Sequence, residues 1–455
     1  MCSGVAKIKR NAGHIKTNPR LSALDLLQRL EVEGLFLSRE VDRIQRGLTE
    51  RRDRALFLEL VNGVLRLRLR LDAELKPLID RQFAELSPLV VNVLRLGLYQ
   101  LRFLDRVPAY AVVNESVAAV RALGQPGAAG LVNAVLRRAA AGEVFTPPEF
   151  ERDPVEHLSV NWSHPSWLVE RWLKRWGAKT VRRLLEADNR RPGVTVRVNR
   201  LRTDAEDLAR RFQEAGLEIQ KGRLSDQFLR LRPEGAVESL PGYDLGHFQV
   251  QDEGAGMVAR IIDPKPGEVV VDLCAAPGGK AGFTAELMGD NGLVIALDVN
   301  RSRLGYVRRN AARLGIGAIK PVLADGRRLP VMAADRVLVD VPCTGTGTLA
   351  RRPDLRWRKG LEDIDRLVRL QSELLESGAG LLSPGGILVY ATCSLETEEN
   401  EGVVEDFLIR HPEFKLELNE NILPAGSVRG GKYFFVTPHE HEVDGAFAAR
   451  MTKVV

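Results

Sequence analysis

The sequence predicts a helical bundle in the N-terminal third, a small α/β module after it, and a parallel α/β domain filling the C-terminal half. Three observations carry this. Apolar residues recur at three- and four-residue spacing from about Pro19 to Ala141, the period of helices with one buried face. One alternating segment, TVRVNRL, follows the turn Arg190-Arg191-Pro192-Gly193 and is succeeded by a helical stretch over residues 204–216. From about Pro264, apolar segments alternate with helical ones, the pattern of a parallel sheet buried on both faces.

The elements follow in order. Leu21, Leu24, Leu27 and Leu30 define a first helix, and Ala55, Leu58 and Val61 a second. Leu65, Leu67, Leu69 and Leu71 prolong the apolar region between Arg66, Arg68 and Arg70. Ser87-Pro88 opens another helix, with proline in the first turn where its missing N–H costs nothing. Val107-Pro108 breaks the chain before a helix over residues 111–123. Gly124, Pro126 and Gly127 form a turn, and residues 131–140 close the bundle. Four prolines between 141 and 165 read as a linker. Trp167, Trp172 and Trp176 then mark an amphipathic segment. The expected boundaries are a basic tail over 1–19, a helical domain over 20–142, a linker over 143–165, the small module over 166–245 and the large domain over 246–455.

The 455 residues allow two to four domains. With 44% hydrophobic and 28% charged residues, the chain is neither disordered, collagenous nor a disulfide scaffold. No apolar run reaches the ~18 residues of a membrane span, because arginine interrupts even LVVNVLRLGLYQLRF; no membrane partner is expected. The N-terminal MCSGVAKIKRNAGHIK lacks the apolar core of a secretion signal. Cys2, Cys274, Cys343 and Cys393 are too few for an oxidised framework, which points to the reducing cytoplasm. Residues 1–150 carry 23 basic and 16 acidic side chains, residues 151–240 carry 18 and 14, and residues 241–455 carry 25 and 30. The basic excess in the first half suits docking on a polyanion.

The strands of the large domain read VVVDLC, LVIALDV, IKPVLA, RVLVDV and ILVYATC. Ligands of such sheets bind beyond the carboxyl ends of the strands, and Asp272, Cys274, Asp298, Asp325, Asp340, Cys343 and Cys393 all lie there. VVVDLCAAPGGK turns from strand to helix through a glycine-rich loop that matches neither dinucleotide nor P-loop spacing. Asp298, ending the next strand, suits two ribose hydroxyls, and Asp325, ending the third, an adenine amino group. A phosphate-free nucleoside cofactor, S-adenosylmethionine, fits this departure from pyrophosphate motifs.

DVPCTGTG places Asp340 and Cys343 after the fourth strand, and YATCS places Cys393 at another strand end 50 residues on. Methylating cytosine C5 needs a thiolate to add at C6, a carboxyl group at the pyrimidine edge, and a base. Two cysteines on two strand ends of one sheet would meet at the same cleft, with Asp340 as the carboxyl group. Cys274 reads as a small residue packing under the cofactor loop, and Cys2 as incidental. RRPDLRWRK carries Arg351, Arg352, Arg356 and Arg358 around Trp357. The arginines suit RNA phosphates, and the tryptophan either stacks a base or packs. ETEENEGVVED reads as a capped surface helix. His439 and His441 have no partner at ligand spacing, so no metal is expected.

DLCAAPGGK, DVPCTGTG and YATCS, with FQVQDEGAGMVA upstream, resemble the bacterial 16S ribosomal RNA 5-methylcytosine methyltransferases of the Sun/Fmu (RsmB) type. RALFLELVNGVLR, LGLYQL, VPAYAVVNESV and GLVNAVLRR resemble the NusB-type RNA-binding fold that marks this subgroup. The resemblance spans about residues 20–450. It implies an all-α NusB-like bundle, a small RRM-like α/β module and a Rossmann-like class I methyltransferase domain. It further implies that Cys274, Ala275, Ala276, Pro277, Gly278, Gly279 and Lys280 line the cofactor site, with Asp298 at the ribose and Asp325 by the adenine. By the same resemblance Asp340 lies between cofactor and cytosine, Cys393 attacks, and Cys343 assists release. DNA cytosine methyltransferases use the PC cysteine instead, with a Glu-Asn-Val motif absent from Ala391–Ser394. The implied substrate is 16S ribosomal RNA, unassembled or partly assembled, and the implied state a monomer. The competing readings are a non-catalytic RNA-binding or antitermination-type factor, a methyltransferase of small molecules or amines, and an enzyme acting on transfer RNA. Intact cysteines and acidic strand ends weigh against the first, and the DVPC loop against the second.

Overall fold

The computed structural model describes residues 18–33, 37–80, 82–142, 145–232, 235–329 and 333–454. The expected basic tail and Cys2 lie almost wholly outside these residues. The chain forms two compact units. One comprises the chain up to Leu185 together with Arg356–Arg358, and the other comprises Glu186–Leu355 and Lys359–Val455.

The first unit is helical. Its core is built from the helices Pro19–Glu33, Arg51–Arg66, Arg68–Leu75, Pro88–Phe103, Ala109–Ala122 and Ala129–Ala140. Ser87 caps the fourth of these by accepting from the Val90 N–H at 3.4 Å, with Pro88 following as expected. Leu24, Phe57, Leu60, Leu94, Val120 and Leu136 are buried in the shared core. Around it Arg95 bridges Asp72 at 2.6 Å and Glu31 at 2.7 Å, so a nearly buried guanidinium is fully paired. The segment expected to be a linker is corrected: it contains the helix Pro154–Trp162, capped by Asp153 accepting from Glu156 N–H at 2.8 Å. The tryptophan-bearing segment continues to Asn189, broken at Gly177 where φ is 72°.

Arg356–Arg358 packs within this helical unit, which corrects the expectation of RNA contact at Arg356 and gives Trp357 the packing role that was one of its two readings. Arg356 is 2% exposed, and its guanidinium donates to the carbonyls of Arg66 and Ser163. The Trp357 indole N–H donates to the Leu65 carbonyl at 2.7 Å, its ring packs on the helical core, and Arg68 lies over it. The side chain is a partly buried anchor. Trp357→Ala is expected to destabilise this unit by about 2 kcal/mol through lost packing and a lost hydrogen bond. The midpoint of its urea transition checks this; an unchanged midpoint removes the anchoring role.

The second unit holds two sheets. The smaller has strand order β2-β3-β1-β4, all antiparallel: β1 Val194–Val198, β2 Ile219–Lys221, β3 Phe228–Leu231 and β4 Phe248–Val250. Helix Ala205–Glu214, capped by Asp204, covers it, with Leu208, Phe212, Leu229 and Phe248 as its core. The sequence boundary at 246 is corrected, because β4 lies beyond it yet completes this sheet by pairing Val196 with Val250.

The larger sheet contains β5 Val269–Asp272, β6 Leu293–Asp298, β7 Ile319–Leu323, β8 Ala334–Asp340 and β9 Leu382–Thr392, the five expected strands. They lie parallel in the order β7-β6-β5-β8-β9. The sheet then continues antiparallel through β13 Ala446–Lys453, β12 Tyr433–Val436 and β11 Val428–Arg429, with β10 Phe414–Leu416 also on β13. These last strands are absent from the sequence reading. Most are two to four residues long, and β13 lacks alternation because both its faces are covered. The chain reverses its direction of travel across the sheet between β5 and β8, which opens a crevice at their carboxyl ends. Among the described residues no helix is long and apolar enough to cross a membrane.

Candidate active site

Register places the chemistry. Asp272 ends β5 and Asp340 ends the adjacent β8, while Asp340 stands opposite Ala391 on β9. Cys343 lies three residues past Asp340 and Cys393 two past Ala391, so both loops leave the same edge side by side. The Gly347 N–H donates to the Cys393 carbonyl at 2.9 Å, and the Gly445 N–H to the Gly347 carbonyl at 2.7 Å. A Cβ on Gly347 would meet Gly445 Cα at 2.7 Å, so only glycine lets these backbones approach. The result is a Cys343 Sγ to Cys393 Sγ distance of 3.2 Å. Both thiols are partly exposed.

The electrostatics separate the two sulfurs. A hydrogen bond from the Cys343 thiol lowers the Cys393 pKa, helped by the charges of Arg352 and Lys280 and opposed by burial and Asp340. The same hydrogen bond, with burial and the Glu399 charge, holds Cys343 well above the ordinary thiol range. Cys393 is therefore the readier thiolate. Lys280 Nζ donates to Asp340 Oδ2 at 2.6 Å. Burial pulls the Lys280 ammonium down, but the Asp340 carboxylate prevails and holds it above its usual value.

The loop after β5 has the expected shape. Gly278, at φ 100°, caps the helix Gly279–Leu287, and a Cβ there would lie 3.2 Å from Val307 Cα. Ala275 and Ala276 are buried and Pro277 is exposed. Burial and the carboxylates of Asp272, Asp340 and Asp298 push the Cys274 thiol far up, which suits a packing role rather than a reagent. Asp298 Oδ1 accepts from Asn300 N–H at 2.8 Å, and Arg303 stands 3.6 Å from Oδ2 while also donating to the Ala276 carbonyl. Arg327 grips Asp325 through several hydrogen bonds, holding its carboxyl down to about 2.

Asp272 carries more than its place in the sequence signalled. It is 2% exposed, its Oδ2 has no hydrogen-bond partner, and burial together with the Asp340 charge raises it to about 7. The folded protein thus favours its protonated form. Stability from this group is complete below the ordinary carboxylate value and is lost as pH rises towards 7. Between pH 5 and 8 the wild type should therefore lose roughly 3–6 °C of Tm relative to Asp272→Asn. A pH-independent difference between the two proteins would remove the burial argument.

Of the five residues expected at RNA, Arg352 is exposed. Arg351 is committed to Asp444 at 2.8 Å, Asp252 at 3.2 Å and the Gly193 carbonyl at 2.7 Å, and so serves as a brace. The stretch expected as a surface helix is corrected at its start. Glu399 and Asn400 are fully buried ahead of the helix Glu401–Arg410, because they bond the two cysteine loops. Four glutamates within six residues of a polar run, Glu396, Glu398, Glu399 and Glu401, gave no local sign of this. Among the described residues no cluster of three or more metal-ligating side chains occurs.

A parallel sheet with an antiparallel β13, a glycine-rich first turn and acidic strand ends define a Rossmann-like methyltransferase. A family model for 16S rRNA methyltransferase RsmB/F matches residues 259–452, one for the NusB family residues 17–141, and one for the RsmF/B-like ferredoxin-like domain residues 164–238. The chain is 35% identical to "Probable ribosomal RNA small subunit methyltransferase B" of Bacillus subtilis over 451 residues, 96% of this chain and 99% of that one. It is 34% identical over 446 residues, and 99% of the relative's length, to ribosomal RNA small subunit methyltransferase B of Yersinia pseudotuberculosis. Crystalline NSun6 from Pyrococcus horikoshii, solved with SFG, superposes at a TM-score of 0.58 with 26% identity, covering 64% of this chain and 98% of its own. The protein belongs to the RsmB/F methyltransferase family, in the branch with an N-terminal NusB domain.

Proposed function

We propose that this enzyme methylates C5 of a cytosine in 16S ribosomal RNA, with S-adenosylmethionine as methyl donor and a transient Cys393–C6 bond. The observation that carries the reading is the 3.2 Å contact of two thiols beside the Lys280–Asp340 pair at the crevice of the sheet. The relatives' ribosomal RNA names supply the substrate class.

The chain's residues fit the donor. Asp272 offers an orphaned buried carboxyl oxygen, Asp298 a carboxylate beside the Gly278 turn, and Val299, 68% exposed, an apolar surface next to it. Cys274 to Lys280, Asp298 and Asp325 would hold it, and when bound it supplies an electrophilic methyl group. The Cys393 thiolate attacks C6, and the electron pair of the C5–C6 double bond is released towards C5. Lys280, kept charged by Asp340, provides a proton donor for the pyrimidine edge. After methylation the C5 proton passes to water in the crevice, its bonding pair re-forms the C5–C6 double bond, and the Cys393 sulfur leaves C6 as a thiolate with the pair of the broken C–S bond. Cys343, in contact with that sulfur, assists the departure. Arg352 supplies a phosphate contact at the exposed rim.

The test is incubation of the protein with methyl-labelled donor and, separately, protein-free 16S RNA, assembled small subunits and transfer RNA, with 5-methylcytosine read by mass spectrometry. Product is expected on the protein-free 16S RNA rather than on the assembled subunits. Product confined to transfer RNA would reassign the substrate, and none on any RNA would favour a non-catalytic binding factor.

A further inference from the structure

We propose that Glu399 is the positioning residue of the thiol pair: its carboxylate, bonded to the residue after each cysteine, sets the separation of the Cys343 and Cys393 sulfurs. The inference rests on the cysteine chemistry proposed above. Glu399 Oε1 accepts from the Thr344 N–H at 2.9 Å and from Gln371 Nε2 at 2.9 Å. Its Oε2 accepts from the Ser394 hydroxyl at 2.5 Å and from the Thr344 hydroxyl. Thr344 follows Cys343 and Ser394 follows Cys393, and their hydroxyls lie 3.0 Å apart. Gln371 also donates to the Pro342 carbonyl at 2.9 Å, so the loop is held on both sides of Cys343. The Glu399 carbonyl accepts from Tyr390 at 2.6 Å, which ties it to β9. Glu399, Ser394, Gln371 and Tyr390 are all 0% exposed.

Among the described residues no cation pairs with Glu399. A carboxylate in such a place is expensive to bury, and an apolar side chain of similar volume would fill the space at less cost. What a carboxylate adds is four acceptor directions, and here they are divided between the two cysteine loops. The bonds are made to main chain and short side chains adjacent to the sulfurs, so little slack separates Glu399 from the thiol geometry. Its negative charge also discourages a thiolate at Cys343 and so leaves Cys343 as the donor.

Three variants test this: Glu399→Ala, Glu399→Gln and Thr344→Val. The pH dependence of Cys393 alkylation by iodoacetamide, in protein free of RNA, reads the thiol geometry; methyl transfer is measured separately. Glu399→Ala is expected to move the alkylation midpoint upward and to lower kcat roughly 100-fold, the scale of a 1 Å misplacement, with donor affinity unchanged. Glu399→Gln should retain activity within about tenfold, because the Thr344 and Ser394 hydroxyls can reverse their roles towards an amide. Thr344→Val removes one hydroxyl from the network, should shift alkylation in the same direction as Glu399→Ala, and serves if the alanine variant does not fold. An alkylation profile identical to wild type in Glu399→Ala, or in Thr344→Val where the former is unfolded, overturns the inference. So does a Glu399→Gln enzyme that is folded but as slow as the alanine variant. Shifted alkylation together with full methylation by Cys393→Ser would instead overturn the cysteine chemistry.

Discussion

Cys343→Ser should accumulate a covalent protein–RNA adduct, whereas Cys393→Ser should form none and lose methyl transfer by a factor on the order of 10⁴ or more. The asymmetry follows from the charges around the pair. Cys393 receives a hydrogen bond from Cys343 and lies within the fields of Arg352 and Lys280, all of which favour its thiolate. Cys343 is held protonated by the same contact and by the Glu399 charge. Without Cys343, attack and methylation proceed but expulsion of the sulfur loses its neighbour, and the adduct persists. Denaturing gels with labelled RNA show the adduct as a slowed band, and donor-derived label shows whether methylation preceded trapping. Adduct in Cys393→Ser and none in Cys343→Ser would exchange the two roles.

Arg197→Met should destabilise the second unit by about 3–5 kcal/mol, the cost of leaving one member of a buried ion pair alone. Arg197, on β1 of the small sheet, is 0% exposed and donates to Glu286 on the helix that follows the β5 loop. It also donates to Gln251 and, at 3.1 Å, to the carbonyl of Gly279, which opens that helix, and its guanidinium lies 4.4 Å over Phe283. Burial lowers Arg197 and raises Glu286, in each case against their mutual attraction, so the pair is costly and depends on both partners. The double variant Arg197→Met/Glu286→Leu should recover most of the loss, since no charge is then stranded. Denaturant melts of the three proteins decide this. A double variant no more stable than Arg197→Met would show that packing, rather than charge, is what the arginine supplies. Because Arg197 braces Gly279, weaker donor binding by the single variant is expected at temperatures where it remains folded.

The parts of this protein legible in its sequence are those that local chemistry dictates. Helical period, the Ser87-Pro88 start and the five apolar strands each rest on residues within a few positions of one another. The place of the candidate site was legible for a related reason: the carboxyl ends of parallel strands share one edge of the sheet, so Asp272, Asp298, Asp340, Cys343 and Cys393 could be gathered there by position alone. Tertiary structure alone decided the rest. Glu399 meets Thr344 across 55 positions, Arg197 meets Glu286 across 89, and Trp357 meets Leu65 across 292. Each looks in sequence like an ordinary surface charge or a base-stacking aromatic, because no local pattern records which distant group will satisfy a buried donor or carboxylate. That pairing is set by how the folded layers come together, and it is what turns two strand-end cysteines into one site.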